Sequence, residues 1–182
     1  NIVKDDVAAG IVYALEAEGT VIERANSLAQ SIQKMPDVRP SVGDDWLRAG
    51  EEHDAAAVEI LIGRTNYPES AEIYATLGYG EGAVAVVGNK VVVAGTDDSS
   101  LASAVTRLLA ALSQHRQENT LCLPTDLSVR VAANDLLAAL PVLPDVEPDV
   151  IDAGDNCWEL VFSQAGDADF QTYAGLHAAD GY

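Results

Sequence analysis

Hydrophobic and polar positions follow two rhythms along this chain, and the plainest statement of the first lies between Ala83 and Ala94. Two β-rich runs, Ala83–Val87 and Lys90–Ala94, meet across Gly88-Asn89, a two-residue connection that favours a hairpin because glycine reaches positive φ at no steric cost. Earlier, Gly10–Leu15 (G-I-V-Y-A-L) reads as a first strand, ended by Gly19. The rhythm then changes. Ile22, Ala25, Leu28, Ala29, Ile32 and Met35 recur at helical spacing up to Pro36, and Thr20 three residues before Glu23 has the spacing of a capping box.

Val38 to Leu47 is the second expected strand, and its Pro40 and Gly43 suit a sheet edge better than a centre. Val58–Ile62 is the third, with consecutive apolar positions that suit a strand covered by helices. Asn66, three residues before Glu69 and followed by Pro68, is the expected N-cap of a short helix carrying Ile73, Tyr74 and Leu77. After the hairpin, Thr96-Asp97-Asp98-Ser99 opens a longer helix with an apolar stripe of Leu101, Ala104, Val105, Leu108 and Leu112. Its first-turn carboxylates sit where the helix dipole favours negative charge. The order is β-α-β-β-α-β-β-α, an α/β (α+β) chain whose economical architecture is a single mixed β-sheet with helices mainly on one face.

Beyond Gln117 the regularity fades. Thr120–Pro124 reads as a short strand or extended linker, and Ala132–Leu140 as a helical turn or two. Pro141, Pro144 and Pro148 punctuate an acidic connector, after which Trp158–Phe162 reads as a strand and Ala168–Ala179 as a helix. The expected organisation is an α/β domain over 1–118, a connector over 119–156 and a strand-helix extension over 157–182, which either docks on the first unit or opens a further domain.

Composition narrows the function classes. The formal net charge is −19, with a hydrophobic share of 48% that is ample for a core. Such a field repels phosphate backbones and anionic lipid, so nucleic acid is not an expected partner. Charge is uneven: residues 1–125 are net −9, whereas 126–182 hold Arg130 against 11 acidic groups. No run approaches the ~20 apolar residues of a membrane helix, so no membrane insertion is expected. The start Asn1-Ile2-Val3-Lys4-Asp5-Asp6 has neither initiator Met nor signal-peptide character and reads as a mature or trimmed piece. Cys122 and Cys157 are too few for a zinc site and read as free thiols, with a disulfide as the alternative in an oxidising compartment.

Candidate chemistry is sparse. His53, His115 and His177 stand more than sixty residues apart and match no metalloprotease spacing. Gly78-Tyr79-Gly80-Glu81-Gly82 precedes a strand, where a phosphate loop must open a helix, and reads as a turn. Asp149, Asp152, Asp155 and Asn156 do not meet the calcium-loop pattern. No catalytic residue, metal ligand set or cofactor site is therefore assigned. Gly63-Arg64-Thr65-Asn66 is the more informative segment, because Arg64 and Asn66 follow the carboxyl end of a strand, where open α/β sheets gather ligands. Capping by Asn66 and a solvated Arg64 is the plainer reading. Tyr67 and Tyr79, with Tyr74 and Trp46, are candidate stacking platforms for a glycan, so the candidate ligand-binding residues are Arg64, Asn66, Tyr67 and Tyr79.

These residues also carry a resemblance. The runs E-I-L-I-G-R-T-N-Y-P-E-S (59–70) and G-Y-G-E-G-A-V-A-V-V-G-N-K-V-V-V-A-G (78–95), with the I-V-Y-A-L strand and the A-N-S-L-A-Q-S-I-Q-K helix, cover about residues 10–116. They resemble the N-terminal α/β accessory domain of β-hexosaminidases (domain 2-like) and α-glucuronidases, found in secreted multidomain proteins of gut Firmicutes. The resemblance implies an extracellular or cell-surface setting, a downstream domain of the same polypeptide as partner, and carbohydrate as a possible ligand. In those enzymes the catalytic carboxylates belong to the barrel downstream, so none carries over. The segment W-E-L-V-F (158–162) through D-F-Q-T-Y-A-G-L-H-A-A-D-G-Y (169–182) resembles the start of the module that comes after such domains, which in some of those proteins is a hydrolase, including metallo-β-lactamase-like ones. The expected role is a non-catalytic accessory domain of a larger exported, carbohydrate-related protein; a glycan-binding module and a stand-alone hydrolase are the alternatives.

Overall fold

The computed structural model describes residues 1–4, 7–132, 149–154, 157–161 and 166. Its strands are β1 (Val3–Lys4), β2 (Val7–Ala8), β3 (Gly10–Tyr13), β4 (Val42–Asp44), β5 (Glu59–Ile62), β6 (Glu81–Val87), β7 (Lys90–Gly95), β8 (Ser128–Ala132), β9 (Asp149–Gly154) and β10 (Cys157–Val161). Its helices are α1 (Gly19–Gln33), α2 (Pro68–Tyr74) and α3 (Asp98–Gln114). Six strands form one mixed sheet in the order β4-β3-β5-β7-β6-β8. Pairing is parallel from β4 through β3 and β5 to β7, and antiparallel from β7 to β6 and β6 to β8. The fold is α+β with a single mixed main sheet.

Alternation along the central strands explains the two-sided core. Ile60, Ile62, Val91, Val93 and Val84 face a layer made with Ala25, Leu28, Ala29 and Ile32 of α1 and Leu101, Ala104, Leu108 and Leu112 of α3. Leu61, Val92, Ala94 and Ala83 point the other way, onto Tyr67, Tyr74 and Leu77 around α2. Successive strand side chains take opposite faces, so a strand packed on both sides must read as an unbroken apolar run. The two long helices share one face, and short α2 covers the other.

The hairpin lies in the register read from the sequence, with Val87 opposite Lys90 and Gly88 at φ 58°. At the far end of β7, a Cβ on Gly95 would lie 2.2 Å from the Leu101 nitrogen. Only a glycine lets α3 start this close to the strand before it.

Several local expectations are corrected. The helix α1 begins at Gly19 with Glu18 as N-cap and no side-chain cap, so Thr20 lies inside the first turn and the box with Glu23 does not form. Ala17 N–H bonds to Ala14 C=O at 2.9 Å, a turn that brings the helix start forward. The N-cap of α2 is Tyr67, not Asn66, with Pro68 at the first helical position. By contrast α3 has a full capping box, in which Asp97 accepts from Ser100 N–H and the Ser100 side chain accepts from Asp97 N–H.

Strands β1, β2, β8 and β9 have no counterpart in the sequence reading. Val3 pairs with Leu121 through Leu121 N–H to Val3 C=O at 3.0 Å, which docks the amino terminus on the Thr120–Pro124 segment. β8, in the stretch read as connector, forms an edge of the main sheet. β9 pairs antiparallel with β10 in a separate two-stranded sheet, so Asp149 and Asp152 lie on a strand and not in an acidic loop. Except for Ala132, which ends β8, the helical segments expected over 132–140 and 168–179 lie outside the described residues.

Candidate functional site

In the main sheet β3 sends the chain through α1 to β4 on one side, and β5 then pairs on its other side. The strand order therefore reverses between β3 and β5, and in open α/β sheets a crevice opens beyond the carboxyl ends at such a point. A crevice of about 510 Å³ lies there. Its walls are the residues that leave three parallel strands: Ala14 and Glu16 to Glu18 after β3, Gly63 and Arg64 after β5, and Thr96 to Asp98 after β7. The first turns of α1 and α3 close it through Thr20, Val21 and Leu101. Gly63 at φ 75° turns the chain out of β5, where a Cβ would lie 3.2 Å from Val21 Cγ1.

The charges here are partly matched. Arg24 grips Asp98 through two hydrogen bonds, from Nε to Oδ1 at 2.9 Å and from Nη2 to Oδ2 at 2.5 Å. Asp97 is engaged as the α3 cap. Arg64 lies over the Tyr74 ring, its Cζ 4.4 Å from the centroid. Beneath it the Tyr74 hydroxyl donates to Gly95 C=O at 3.1 Å. Burial raises the Tyr74 pKa, against the lowering effects of that hydrogen bond and of Arg64.

A second concavity, a groove of about 430 Å³, is lined by Leu47, Glu51, Glu52, His53, Asn66, Tyr67, Glu69 and Lys90, among others. His53 stacks on Tyr67 with ring centroids 3.6 Å apart, and its Nε2 bonds to Asn66 Oδ1. Asn66 is held from the other side by Asp45, whose Oδ2 accepts from Asn66 N–H at 2.7 Å and whose Oδ1 accepts from Leu15 N–H at 2.8 Å. Asp45 is itself buried, so a single carboxylate ties the loop after β3 to the loop after β5. Lys90 is 1% exposed. Its ammonium donates to Asp54 C=O (2.7 Å), Ala57 C=O (2.8 Å) and Glu59 Oε2 (2.7 Å), which satisfies all three donors. The Tyr67 hydroxyl donates to the same Glu59 oxygen at 3.2 Å. Burial first, and then the Glu59 charge, raise the Tyr67 pKa well above the ordinary phenol value.

The four sequence-predicted site residues therefore separate. Arg64 lines the crevice, Asn66 and Tyr67 line the groove, and Tyr79 is buried at 4% exposure. Of the four stacking candidates, Tyr67, Tyr74 and Tyr79 are buried and Trp46 is 57% exposed. Asp45, Lys90, Glu59 and His53 are residues that sequence reasoning misses. A lysine opening a strand after a turn has the pattern of a solvated end, and nothing local marks it as buried. Glu16, Glu18 and Thr20 were findable, since they come directly after the first strand of the sheet. Among the described residues no group of three or more His, Cys, Asp or Glu converges to hold a metal ion, and no helix is long and apolar enough to cross a membrane.

No family model matches this chain, and no curated protein matches it. Among solved structures it is similar to that of a family GH115 4-O-methyl-α-glucuronidase, BtGH115A, with specificity for decorated arabinogalactans. The TM-score is 0.43 at 18% identity, and the match covers 67% of this chain and 17% of that one.

Proposed function

We propose that this chain is a non-catalytic accessory domain of a larger exported, carbohydrate-related protein, and that it supports or orients a downstream hydrolase module. The observation that carries the reading is the employment of the polar side chains that line and border the groove. Asp45 joins two loops, Lys90 and Glu59 pin the 54–57 turn to β7 and Tyr67, and Asn66 with His53 fastens the loop before α2. Catalytic acids and bases need a reacting atom within hydrogen-bond reach, whereas these groups are committed to one another and hold loops in place. The sequence resemblance over residues 10–116 supports the exported setting and the downstream partner. The coding sequence after Tyr182 tests the proposal. An open reading frame that continues into a hydrolase module is expected, and a stop codon directly after Tyr182 would overturn it.

A further inference from the structure

We propose that residues 47–53 form a strap along the groove and that His53 is its clasp, drawn tighter by protonation as pH falls through the neutral range. The inference goes beyond the accessory reading and does not depend on it.

The strap is anchored at both ends and held between them by one side chain. Its beginning follows buried Asp45, which accepts from Leu15 N–H and Asn66 N–H. Beyond its end, Lys90 and Asn89 donate to the carbonyls of Asp54, Ala55 and Ala57. Residues 48–52 are exposed, and the hydrogen bonds between Arg48 and Glu51 are internal to the strap. Among the described residues, the hydrogen bond that leaves 47–53 is the one from His53 to Asn66 Oδ1, and the His53 ring lies on Tyr67 with centroids 3.6 Å apart. Both partners line the groove.

Asn66 sets the tautomer of the clasp. Its Nδ2 donates to Asp45 C=O at 3.0 Å, which leaves Oδ1 as the acceptor, so His53 Nε2 carries a hydrogen. A second proton therefore goes to Nδ1 and leaves the bond in place, now charge-assisted and roughly twice as strong. The same charge adds a cation–π attraction to the Tyr67 ring. An imidazolium shares the groove with Glu51 and Glu52 of the strap and with Glu69 of α2, whose buried Oε2 has no hydrogen-bond partner among the described residues. The nearby positive charge, Lys90, is paired with Glu59 at 2.7 Å. Asp54 accepts from Ala56 N–H, Asp45 is engaged by its two backbone donors, and Tyr67 keeps its proton because burial raises its pKa. Histidine changes charge between about pH 5 and 8, so the clasp is firm at the acid end of that range and loosened at the other.

The test is nitrogen-15 NMR relaxation dispersion on this chain at about pH 5.5 and about pH 8, read at residues 48–53, because strap opening falls in the time range that this measurement reports. The open population is expected to rise about fivefold from the lower pH to the higher, with a weaker nuclear Overhauser effect between the His53 and Tyr67 rings. His53→Phe keeps a stacked ring without the bond or the charge, and is expected to show the same strap exchange at both pH values. Asn66→Ala, at an exposed position, removes the acceptor and is expected to lose most of the response, whereas His115→Gln keeps it in full. The proposal is overturned if strap exchange in the unaltered chain does not change between the two pH values or grows toward acid. It is equally overturned if both His53→Phe and Asn66→Ala retain the response.

Discussion

Lys90 shows how a single side chain can be hidden in a sequence and decisive in a structure. A buried ammonium is tolerated because three acceptors within 2.8 Å replace its water. Lys90→Met keeps the aliphatic stem but takes the ammonium from Glu59, which retains only the Tyr67 hydroxyl, and from two carbonyls, and is expected to lower unfolding stability by about 3 kcal/mol in a urea titration. A loss within experimental error would mean that water reaches those acceptors. Tyr67 and Tyr74 make a pH prediction of definite sign. Both phenols hold their protons more tightly folded than at the ordinary value of 10.0, so above that pH the folded state binds more protons than the unfolded one. Their contribution is complete below pH 10 and is lost as pH rises beyond it toward the folded values, by up to about 1.4 kcal/mol per pH unit for each. Tyr67→Phe should make the alkaline decline shallower, which chemical denaturation at pH 9, 10 and 11 would read directly. Neither partnership was legible, because each joins residues brought together only by strand pairing.

At the scale of elements, legibility tracked the length of the periodic pattern. The stripes of α1 and α3 and the β6–β7 hairpin repeat often enough to fix type and face. The two-residue strands β1 and β2 have no period to read. β8 alternates in S-V-R-V-A over only five residues, too short a run to stand out; in the fold its exposed Arg130 donates through Nη1 to Thr76 C=O (2.7 Å) and to Glu81 Oε2 on β6 (2.9 Å). Helix starts separated by their chemistry. The Asp97–Ser100 box forms where the sequence offers carboxylates, whereas α1 starts earlier than its Thr20 suggests because a turn at Ala14–Ala17 delivers the chain to Gly19. Asp97→Ala is expected to cost about 1 kcal/mol, and Glu18→Ser to add about as much by supplying the missing cap. Thermal unfolding of the two variants checks both directions. Equal and negligible shifts would show that neither helix end limits stability.

At the scale of the whole molecule, the described residues of this acidic chain build a sheet covered by α1 and α3 on one face and α2 on the other, with loops fastened by buried polar contacts and a crevice at the carboxyl edge. The sheet and its covering were readable from apolar runs. The crevice was half readable: Arg64 falls at the right edge by its place after a strand, while Glu16, Glu18 and Thr20 form the opposite wall and carry only the local signals of a turn and a cap. The accessory role predicts a division of labour between this chain and a downstream module. The direct measurement is a side-by-side glycosidase assay, on one panel of chromogenic glycosides, of this 182-residue chain and of the complete polypeptide encoded by its gene. Hydrolysis by the complete polypeptide with none by this chain is the result the account predicts; turnover by this chain by itself would contradict it.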